Sequence, residues 1–279
     1  MISYIDGNFV PTNEVAFPFV QDAVGTVRGF RIFTACKTIG GRVFRLDDHI
    51  QRLWESAGSL GMVLPHDQDV LRGIIADTLE KNADQPGERL LEIFYSGGPA
   101  SSNGTSPVGP AVLYVVVLPL KLPSPAWYSN GIALATYPHQ RPFPEIKLTF
   151  YVGAIVAHNT VVKQYNAEMP LFVTEGACPE VLEGSTFNFF VVRDGQLFTP
   201  PLDGRILKGI TRKTVIELAN RLGIGVKEMS VPVDYRWDEA FLVSSTRNIV
   251  PVTRVDDHQI GEGVPGPVTR RLMDMFGVA

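Results

Sequence analysis

The sequence predicts an α+β protein made of two unequal domains. Over the first 118 residues, segments that alternate polar and apolar residues surround two stretches with helical periodicity. The run PLKLPSP, which begins at Pro119, is rich in proline and interrupts both patterns. A second series of strands and helices begins beyond it. We therefore expect a small first domain over 1–118, a linker over 119–126 and a larger second domain over 127–279.

The composition is typical of a soluble globular protein. Hydrophobic residues make up 45% of the 279 residues and charged residues 19%, so a sizeable core can form. The formal net charge is −4 and the basic residues are scattered, which argues against a nucleic-acid partner. The longest apolar run, 111–118, is too short to span a membrane, and the N-terminus lacks the features of a secretory signal.

Cysteine usage favours a reducing compartment. Cys36 and Cys178 lie far apart and form neither a disulfide framework nor a spacing typical of metal ligands. The sequence therefore predicts a cytoplasmic protein without a bound metal ion.

Turn signals and apolar spacing predict the elements of the first domain. The dipeptides Asp6-Gly7 and Gly40-Gly41 are flanked by strand-like segments, so each predicts a hairpin. Asp47 is a suitable N-cap for a helix that Gly61 would end. The predicted elements are hairpins over 2–10 and 28–44, helices over 47–60 and 70–79, and strands over 90–95 and 112–118.

The second domain shows the same two periods, without internal repeats. A hydrophobic helical stretch over 152–162 follows Lys147, and Gly223 would end a later helix. The other predicted elements are strands over 132–136, 171–173, 187–192, 196–198, 225–233 and 239–243, and helices over 211–222 and 268–275.

Two residues could carry reactive chemistry. Lys147 lies between a strand and a hydrophobic helix. Most such lysines are solvated, but one withdrawn from water could attack an aldehyde as the neutral amine. Glu183 leads a small-residue turn into a very apolar strand, where it either faces water or partners a protonated pyridine nitrogen.

Three further features could bind a phosphate group. Gly209, Ile210 and Thr211 open a helix, whose N-terminus offers free N–H groups, although an ordinary capped helix would look the same. Arg52 lies off the apolar stripe of its helix, as either a surface residue or a phosphate clamp. The turn containing Ser245 and Thr246 follows a buried strand. The order of these features is more specific than any one of them.

The run from Glu183 to Ala219, EGSTFNFFVVRDGQLFTPPLDGRILKGITRKTVIELA, resembles the signature of class IV aminotransferases, the fold-type IV pyridoxal-phosphate (PLP) family. The resemblance extends from YIDGNFVP through FRLDDHIQRL and PEIK to the SST turn. It implies a small α/β domain and a larger pseudo-barrel domain. It also implies a homodimer whose active sites lie at the domain interface and are completed by the neighbouring subunit.

The resemblance also implies a role for each candidate residue. Lys147 would carry PLP as a Schiff base (the internal aldimine), and Glu183 would pair with the pyridine nitrogen. The amino group would pass between an amino acid and a 2-keto acid by ping-pong kinetics. The remaining cofactor contacts would be Arg52, Gly209, Ile210, Thr211, Ser245 and Thr246 on the phosphate, Leu207 on the ring face and Tyr151 on the phenolic oxygen.

The substrate is less well specified. Arg28 and Arg31 in VRGFRIF resemble the carboxylate-binding region of an atypical group of D-amino-acid aminotransferases, although a surface ion pair would give the same pattern. The second arginine of that group would fall at Thr186. We expect a transaminase for small or apolar amino acids, with D-amino acids favoured over L.

Three alternatives remain open. A branched-chain L-amino-acid aminotransferase is one, although its tyrosine and arginine pattern is absent. An aminodeoxychorismate lyase is the second: Phe33-Thr34-Ala35 resembles its FTT stretch, but Phe150 stands where that lyase usually has asparagine. The third is a PLP-holding protein without turnover, against which the complete cofactor set argues.

Overall fold

The computed structural model describes residues 1–277, which form two compact units. The first unit comprises Met1–Lys121 and Ile146–Phe150, and the second comprises Leu122–Glu145 and residues 151–277. The boundary between the units falls within the linker expected over 119–126. The segment that contains Lys147 belongs to the first unit, although it lies within the predicted second domain. Among residues 1–277, no helix combines the length and the apolar character that crossing a membrane requires.

The first unit is built on an antiparallel six-stranded sheet with the order β2-β1-β6-β5-β3-β4. The two glycine turns that the sequence predicts join β1 to β2 and β3 to β4. The elements are β1 (Ile2–Ile5), β2 (Asn8–Pro11), α1 (Ala23–Arg28), β3 (Arg31–Ile39), β4 (Arg42–Val43), α2 (Leu46–Leu60), α3 (Gln68–Glu80), β5 (Arg89–Ser96) and β6 (Val112–Pro119), with a 3-10 turn over Thr12–Glu14.

The core of the first unit lies between one face of this sheet and helices α2 and α3. The apolar stripes of both helices contribute to it, because residues three and four apart lie on the same helix face. Gly61 ends α2 at a positive φ of 63°, and Asp67 caps α3 by accepting a hydrogen bond from the Val70 N–H at 2.8 Å. The principal core side chains are Ile32, Cys36, Ile50, Leu53, Leu71, Ile75, Leu91, Ile93 and Tyr95.

The first strand of the hairpin predicted over 28–44 begins later than expected. Arg28 is the last residue of α1, and β3 begins only at Arg31. Gly29 adopts a φ of 72° and ends the helix, since glycine reaches the left-handed region without strain. Apolar alternation does not reveal a helix of six residues, because it completes less than two turns.

The second unit contains a nine-stranded mixed sheet with the order β12-β11-β10-β13-β14-β7-β8-β9, and β15 pairs with β14. Parallel pairs join β7 to β14, β7 to β8 and β11 to β12, and the others are antiparallel. The elements are α4 (Pro125–Asn130), β7 (Ile132–Pro138), α5 (Val152–Ala157), a π-helical turn (His158–Val162), β8 (Met169–Val173), β9 (Val181–Gly184), β10 (Asn188–Arg193), β11 (Gln196–Thr199), α6 (Ile210–Arg221), β12 (Val226–Glu228), β13 (Glu239–Ser244), β14 (Asn248–Val255), β15 (His258–Gln259) and α7 (Pro267–Gly277).

Two predictions for the second unit need correction. The strand expected over 225–233 is only Val226–Glu228, because the chain beyond it turns away from β11 and hydrogen-bonds with residues 179–181 at the start of β9. Glu183 is not in a turn that faces water. It lies in β9, in which every residue is buried. A strand of four residues is too short to show a period in its sequence.

Asp256 joins β14 to β7 in the second unit. Its carboxylate accepts hydrogen bonds from the Thr136 N–H at 2.7 Å, the Thr136 hydroxyl at 2.8 Å and the Tyr235 hydroxyl at 2.9 Å. Asp256 is 6% exposed and has a φ of 52°, a conformation that aspartate tolerates better than most residues.

Replacing Asp256 by alanine is expected to lower the free energy of unfolding by about 3 kcal/mol, because a buried N–H and two hydroxyls lose their acceptor. Denaturant unfolding followed by circular dichroism measures the change. Asp257→Ala removes an exposed neighbouring carboxylate and should cost less than about 0.5 kcal/mol. Equal losses for the two variants would show that the Asp256 bonds contribute nothing.

Candidate active site

Lys147 lies beside β3 in the first unit, on a short extended segment. Its carbonyl accepts a hydrogen bond from the Phe33 N–H at 3.0 Å, and Leu148 forms an antiparallel bridge with Ile32. The Nζ atom of Lys147 is 4.7 Å from the centroid of the Phe33 ring. The sheet thus fixes the backbone of this lysine and holds its amine against an aromatic face.

Arg52 is buried in the first unit and belongs to a hydrogen-bonded group of three side chains. Its Nη2 atom donates to the Thr34 hydroxyl at 2.8 Å, and the same hydroxyl is 2.6 Å from Nδ1 of His49. Because a guanidinium only donates, the Thr34 oxygen accepts from Arg52 and its own proton can go to His49. The side chain of Arg52 is therefore positioned by β3, and the surface location considered for it is wrong.

His49 is neutral in this arrangement. Burial, followed by the positive charges of Arg52, Lys147 and Arg45, holds the pKa of the imidazole well below its usual range. A neutral His49 can accept the Thr34 proton at Nδ1. Neither His49 nor Thr34 was assigned to this group from the sequence, although His49 is three residues before Arg52 and thus on the same helix face.

Arg31 forms an ion pair in the first unit. Its Nη2 atom is 2.6 Å from the buried carboxylate of Asp22, and its guanidinium lies 3.7 Å from the centroid of the Phe17 ring. The hydroxyl of Ser96 and the N–H of Gly98 also donate to Asp22. The charge of Arg31 is thus already balanced within the protein.

Arg28 is exposed, and its side chain is not part of that group. Its Nε atom donates to the Gly104 carbonyl at 3.1 Å. The structure gives Arg28 and Arg31 different partners, so the joint role predicted for them on a substrate carboxylate stays a prediction, with Arg28 the more available of the two.

Glu183 is the centre of the corresponding group in the second unit. It is 5% exposed, and its Oε1 atom accepts from Nε of Arg141 at 2.8 Å. Its Oε2 atom accepts from the Leu207 N–H at 3.1 Å and lies 3.5 Å from Nδ2 of Asn188. A guanidinium and two N–H donors stabilise the ionised carboxylate against the cost of burial.

Asn188 links Glu183 to the loop that precedes α6. Its Nδ2 atom also donates to the Leu207 carbonyl at 3.0 Å, so both backbone polar groups of Leu207 are fixed. A Cβ atom added to Gly209 would lie 1.8 Å from Oδ1 of Asn188, and only glycine fits there. Neither Arg141 nor Asn188 was assigned from the sequence. Arg141 lies more than 40 residues before Glu183, and no local pattern marks two residues so far apart as partners.

The N-terminus of α6 has no side-chain cap. Gly209 occupies the N-cap position, and Ile210 and Thr211 are buried in the first turn. The first N–H groups of a helix have no partner within it, so they can bind an anion. Helix α6 packs against β13, whose C-terminal end leads into the half-buried Ser245 and Thr246. All the phosphate candidates of the second unit thus lie at element ends, as expected for anion-binding backbone.

Tyr151 is at the N-terminus of α5, and its carbonyl accepts the Ile155 N–H at 3.0 Å. Its predicted contact with the phenolic oxygen of a cofactor stays a prediction.

Comparison with known proteins identifies the family. The family model described as amino-transferase class IV matches residues 31–255. A D-alanine aminotransferase from Staphylococcus haemolyticus is 28% identical over 276 residues, which cover 98% of this chain and 95% of the relative.

Two solved structures have the same fold. The branched-chain amino acid aminotransferase of Escherichia coli superposes with a TM-score of 0.89 at 25% identity and covers 99% of this chain and 94% of its own. The branched-chain aminotransferase of the thermophilic archaeon Thermoproteus uzoniensis, solved with norvaline, gives a TM-score of 0.86 at 26% identity and covers 99% and 93%.

These findings confirm the predicted fold class and the predicted family. The match runs over most of the chain and includes Lys147, Glu183 and the α6 region. The chain belongs to the class IV aminotransferases and is a PLP-dependent enzyme of that family.

Proposed function

We propose that this enzyme transfers an amino group between a small or apolar amino acid, with D-amino acids favoured, and a 2-keto acid. The observation that carries the proposal is the buried Glu183 carboxylate, held by Arg141 and by the Leu207 N–H. A buried anion with this support is suited to a protonated ring nitrogen, which a cofactor needs in order to accept electrons.

The residues of each unit match the chemical groups of PLP. In the second unit, Glu183 fits the ring nitrogen, and the uncapped α6 N-terminus with Thr211 fits the phosphate. In the first unit, Lys147 supplies the amine that PLP requires, and Arg52 supplies a positioned guanidinium for a phosphate. When bound, PLP supplies the carbonyl that holds the amino group and the ring that takes up the electrons of the broken bond.

The reaction then needs proton movement at defined atoms. Nζ of Lys147 removes the proton from Cα of the amino acid and later returns a proton to complete the transfer. With PLP bound, Glu183 would keep the ring nitrogen protonated, and Arg52 would hold the phosphate. Running the same steps in reverse on a keto acid gives ping-pong kinetics.

Two observations support the substrate class. The Phe33 ring beside Nζ of Lys147 stacks on Phe94 at 5.5 Å between centroids, so aromatic rings line one side of the amine in the first unit. Arg28 is exposed and can bind a carboxylate, as the resemblance to atypical D-amino-acid enzymes suggests. Relatives named D-alanine aminotransferase support the D configuration. The branched-chain names of the structural neighbours make an L-amino-acid aminotransferase the second candidate.

We also propose a homodimer in the cytoplasm. Helix α5 exposes the apolar side chains of Val152, Ile155 and Val156 at 57%, 58% and 43% of their surfaces. Three such side chains on one short helix favour contact with a second copy of the chain.

The test of the function starts with the protein loaded with PLP and treated with borohydride. Peptide mass spectrometry should find the cofactor on Lys147 and find none in Lys147→Ala. Lys163→Ala, which changes an exposed lysine, is the control and should retain it.

The untreated protein is then mixed with D-alanine or L-leucine. A shift of its absorption band that a keto acid reverses would establish amino-group exchange, and the responding enantiomer would decide between D and L. A band that ignores both amino acids would contradict the transaminase and favour the lyase. A cofactor attached elsewhere would overturn the assignment of Lys147.

Replacing Glu183 by glutamine is expected to lower kcat on the order of 10²-fold, because the ring nitrogen loses its anionic partner. Steady-state kinetics and the melting temperature are measured together, since Arg141 also loses its counter-charge. Glu180→Gln alters a carboxylate of the same hairpin that pairs with Arg205, and it should leave kcat nearly unchanged. Similar kcat losses in both variants would count against a specific role of Glu183.

Replacing Thr34 by valine is expected to weaken PLP binding about tenfold, because Arg52 loses the acceptor that positions it. Equilibrium dialysis with PLP measures the dissociation constant. Thr78→Val removes another buried hydroxyl of the same unit, which bonds only the Ile74 carbonyl, and serves as the control. An unchanged dissociation constant in Thr34→Val would show that Thr34 on β3 does not position Arg52 for the phosphate.

A further inference from the structure

Arg247 is fixed in the turn between β13 and β14. Its N–H donates to the Ser244 hydroxyl at 3.3 Å, and its carbonyl accepts from the Tyr128 hydroxyl at 3.0 Å. Both backbone polar groups are therefore bonded, and the side chain leaves the turn from a defined point.

The guanidinium of Arg247 lies against the turn that follows Glu183. Strand β10 pairs with β13 in the register Asn188 to Val243, so the turns at this end of both strands are neighbours. Nη1 of Arg247 donates to the hydroxyl of Thr186 at 3.1 Å. Thr186 is exposed and Arg247 is half-buried, so the contact lies at an accessible edge of the second unit.

Arg247 differs from the other buried or half-buried arginines of the second unit. Four of them pair with carboxylates: Arg141 with Glu183, Arg193 with Asp234, Arg205 with Glu180, and Arg212 with Glu228. Arg254 instead donates to three backbone carbonyls. Within residues 1–277, the guanidinium of Arg247 meets only the neutral hydroxyl of Thr186 and no carboxylate.

The surroundings of the Arg247 guanidinium lack an anion that would compensate its partial burial within residues 1–277. Burial lowers the pKa of Arg247, and an electrostatic effect of Tyr128 partly opposes it. Partial desolvation of a guanidinium costs free energy unless an anion and further acceptors compensate. An incoming anion would supply both, through two parallel N–H donors.

We propose that Arg247 binds the carboxylate of the amino acid and of the keto acid, with Thr186 holding the guanidinium in position. The proposal rests on the proposed function, since it names the group that recognises the substrates of that reaction. Because the Thr186 oxygen accepts from Arg247, its proton is free to donate to the same carboxylate. The turn that carries Thr186 follows β9, the strand that contains Glu183, so the proposed carboxylate site and the proposed partner of the ring nitrogen lie on one continuous segment.

A phosphate of the cofactor is the competing ligand of the same charge. It has other donors in the second unit, at the N-terminus of α6. The two anions can be separated by experiment, because a carboxylate without an amino group binds but does not react.

The experiment uses the PLP-loaded enzyme and 4-methylpentanoate as the probe, with 4-methylpentanamide as its uncharged analogue. Calorimetry gives the dissociation constant of each. Arg247→Gln should weaken the carboxylate roughly 10- to 100-fold and leave the amide and PLP unaffected. Arg247→Lys should recover part of the loss. Arg221→Gln removes an exposed arginine of α6 and should bind the probe as the wild type does.

Three results would decide against the proposal. One is unchanged carboxylate binding in Arg247→Gln with PLP bound. Another is weaker PLP binding with the carboxylate unaffected, which would assign Arg247 to the phosphate. A third is an equal loss for carboxylate and amide, which would indicate a packing role. A wild type that binds the carboxylate through Arg247 but exchanges no amino group would instead overturn the proposed function and support the assignment of Arg247.

Discussion

The burial of Glu183 is the constraint on which the second unit's candidate site depends. A carboxylate removed from water is costly, and the chain compensates it with one guanidinium and two N–H donors. Those donors come from separate parts of the chain: the loop that carries Arg141, the start of β10 and the segment before α6. Satisfying one charge therefore fixes the loop at Leu207, requires glycine at position 209 and sets where α6 begins.

In the first unit, a neutral hydroxyl group positions a buried guanidinium. Arg52 is buried, and it donates to the Thr34 hydroxyl at 2.8 Å. A neutral acceptor orients a guanidinium without cancelling its charge. Arg31, by contrast, is balanced by Asp22. Arg247 of the second unit differs from Arg31, because within residues 1–277 its guanidinium meets the Thr186 hydroxyl and no carboxylate.

This distinction bears on how related enzymes of one fold choose different substrates. The chain shares its fold with branched-chain enzymes and has sequence relatives named for D-alanine. Lys147 and Glu183, proposed for the cofactor, lie on the segment beside β3 and on β9, whereas Arg28 and Arg247, proposed for the substrate, lie on a short helix and on a turn. Specificity can therefore change at chain segments that carry little of the core.

The sequence by itself determined the family, the long elements and the residue types that PLP chemistry needs. Helices α2, α3 and α6 were predictable because their apolar residues repeat at 3.6 positions and glycine marks two of their ends. Short elements such as α1 and β9 were not, since no more than two periods fit within them.

Only the tertiary structure decided which polar and charged side chains meet. Periodicity reports which face of an element is buried, but not which side chain lies opposite it across a sheet or loop. The pairs Arg31 with Asp22, Arg141 with Glu183 and Arg247 with Thr186 each join different elements or loops of the chain. Their identity follows from strand register and from the need of each buried polar group for a partner, and both are properties of the folded chain.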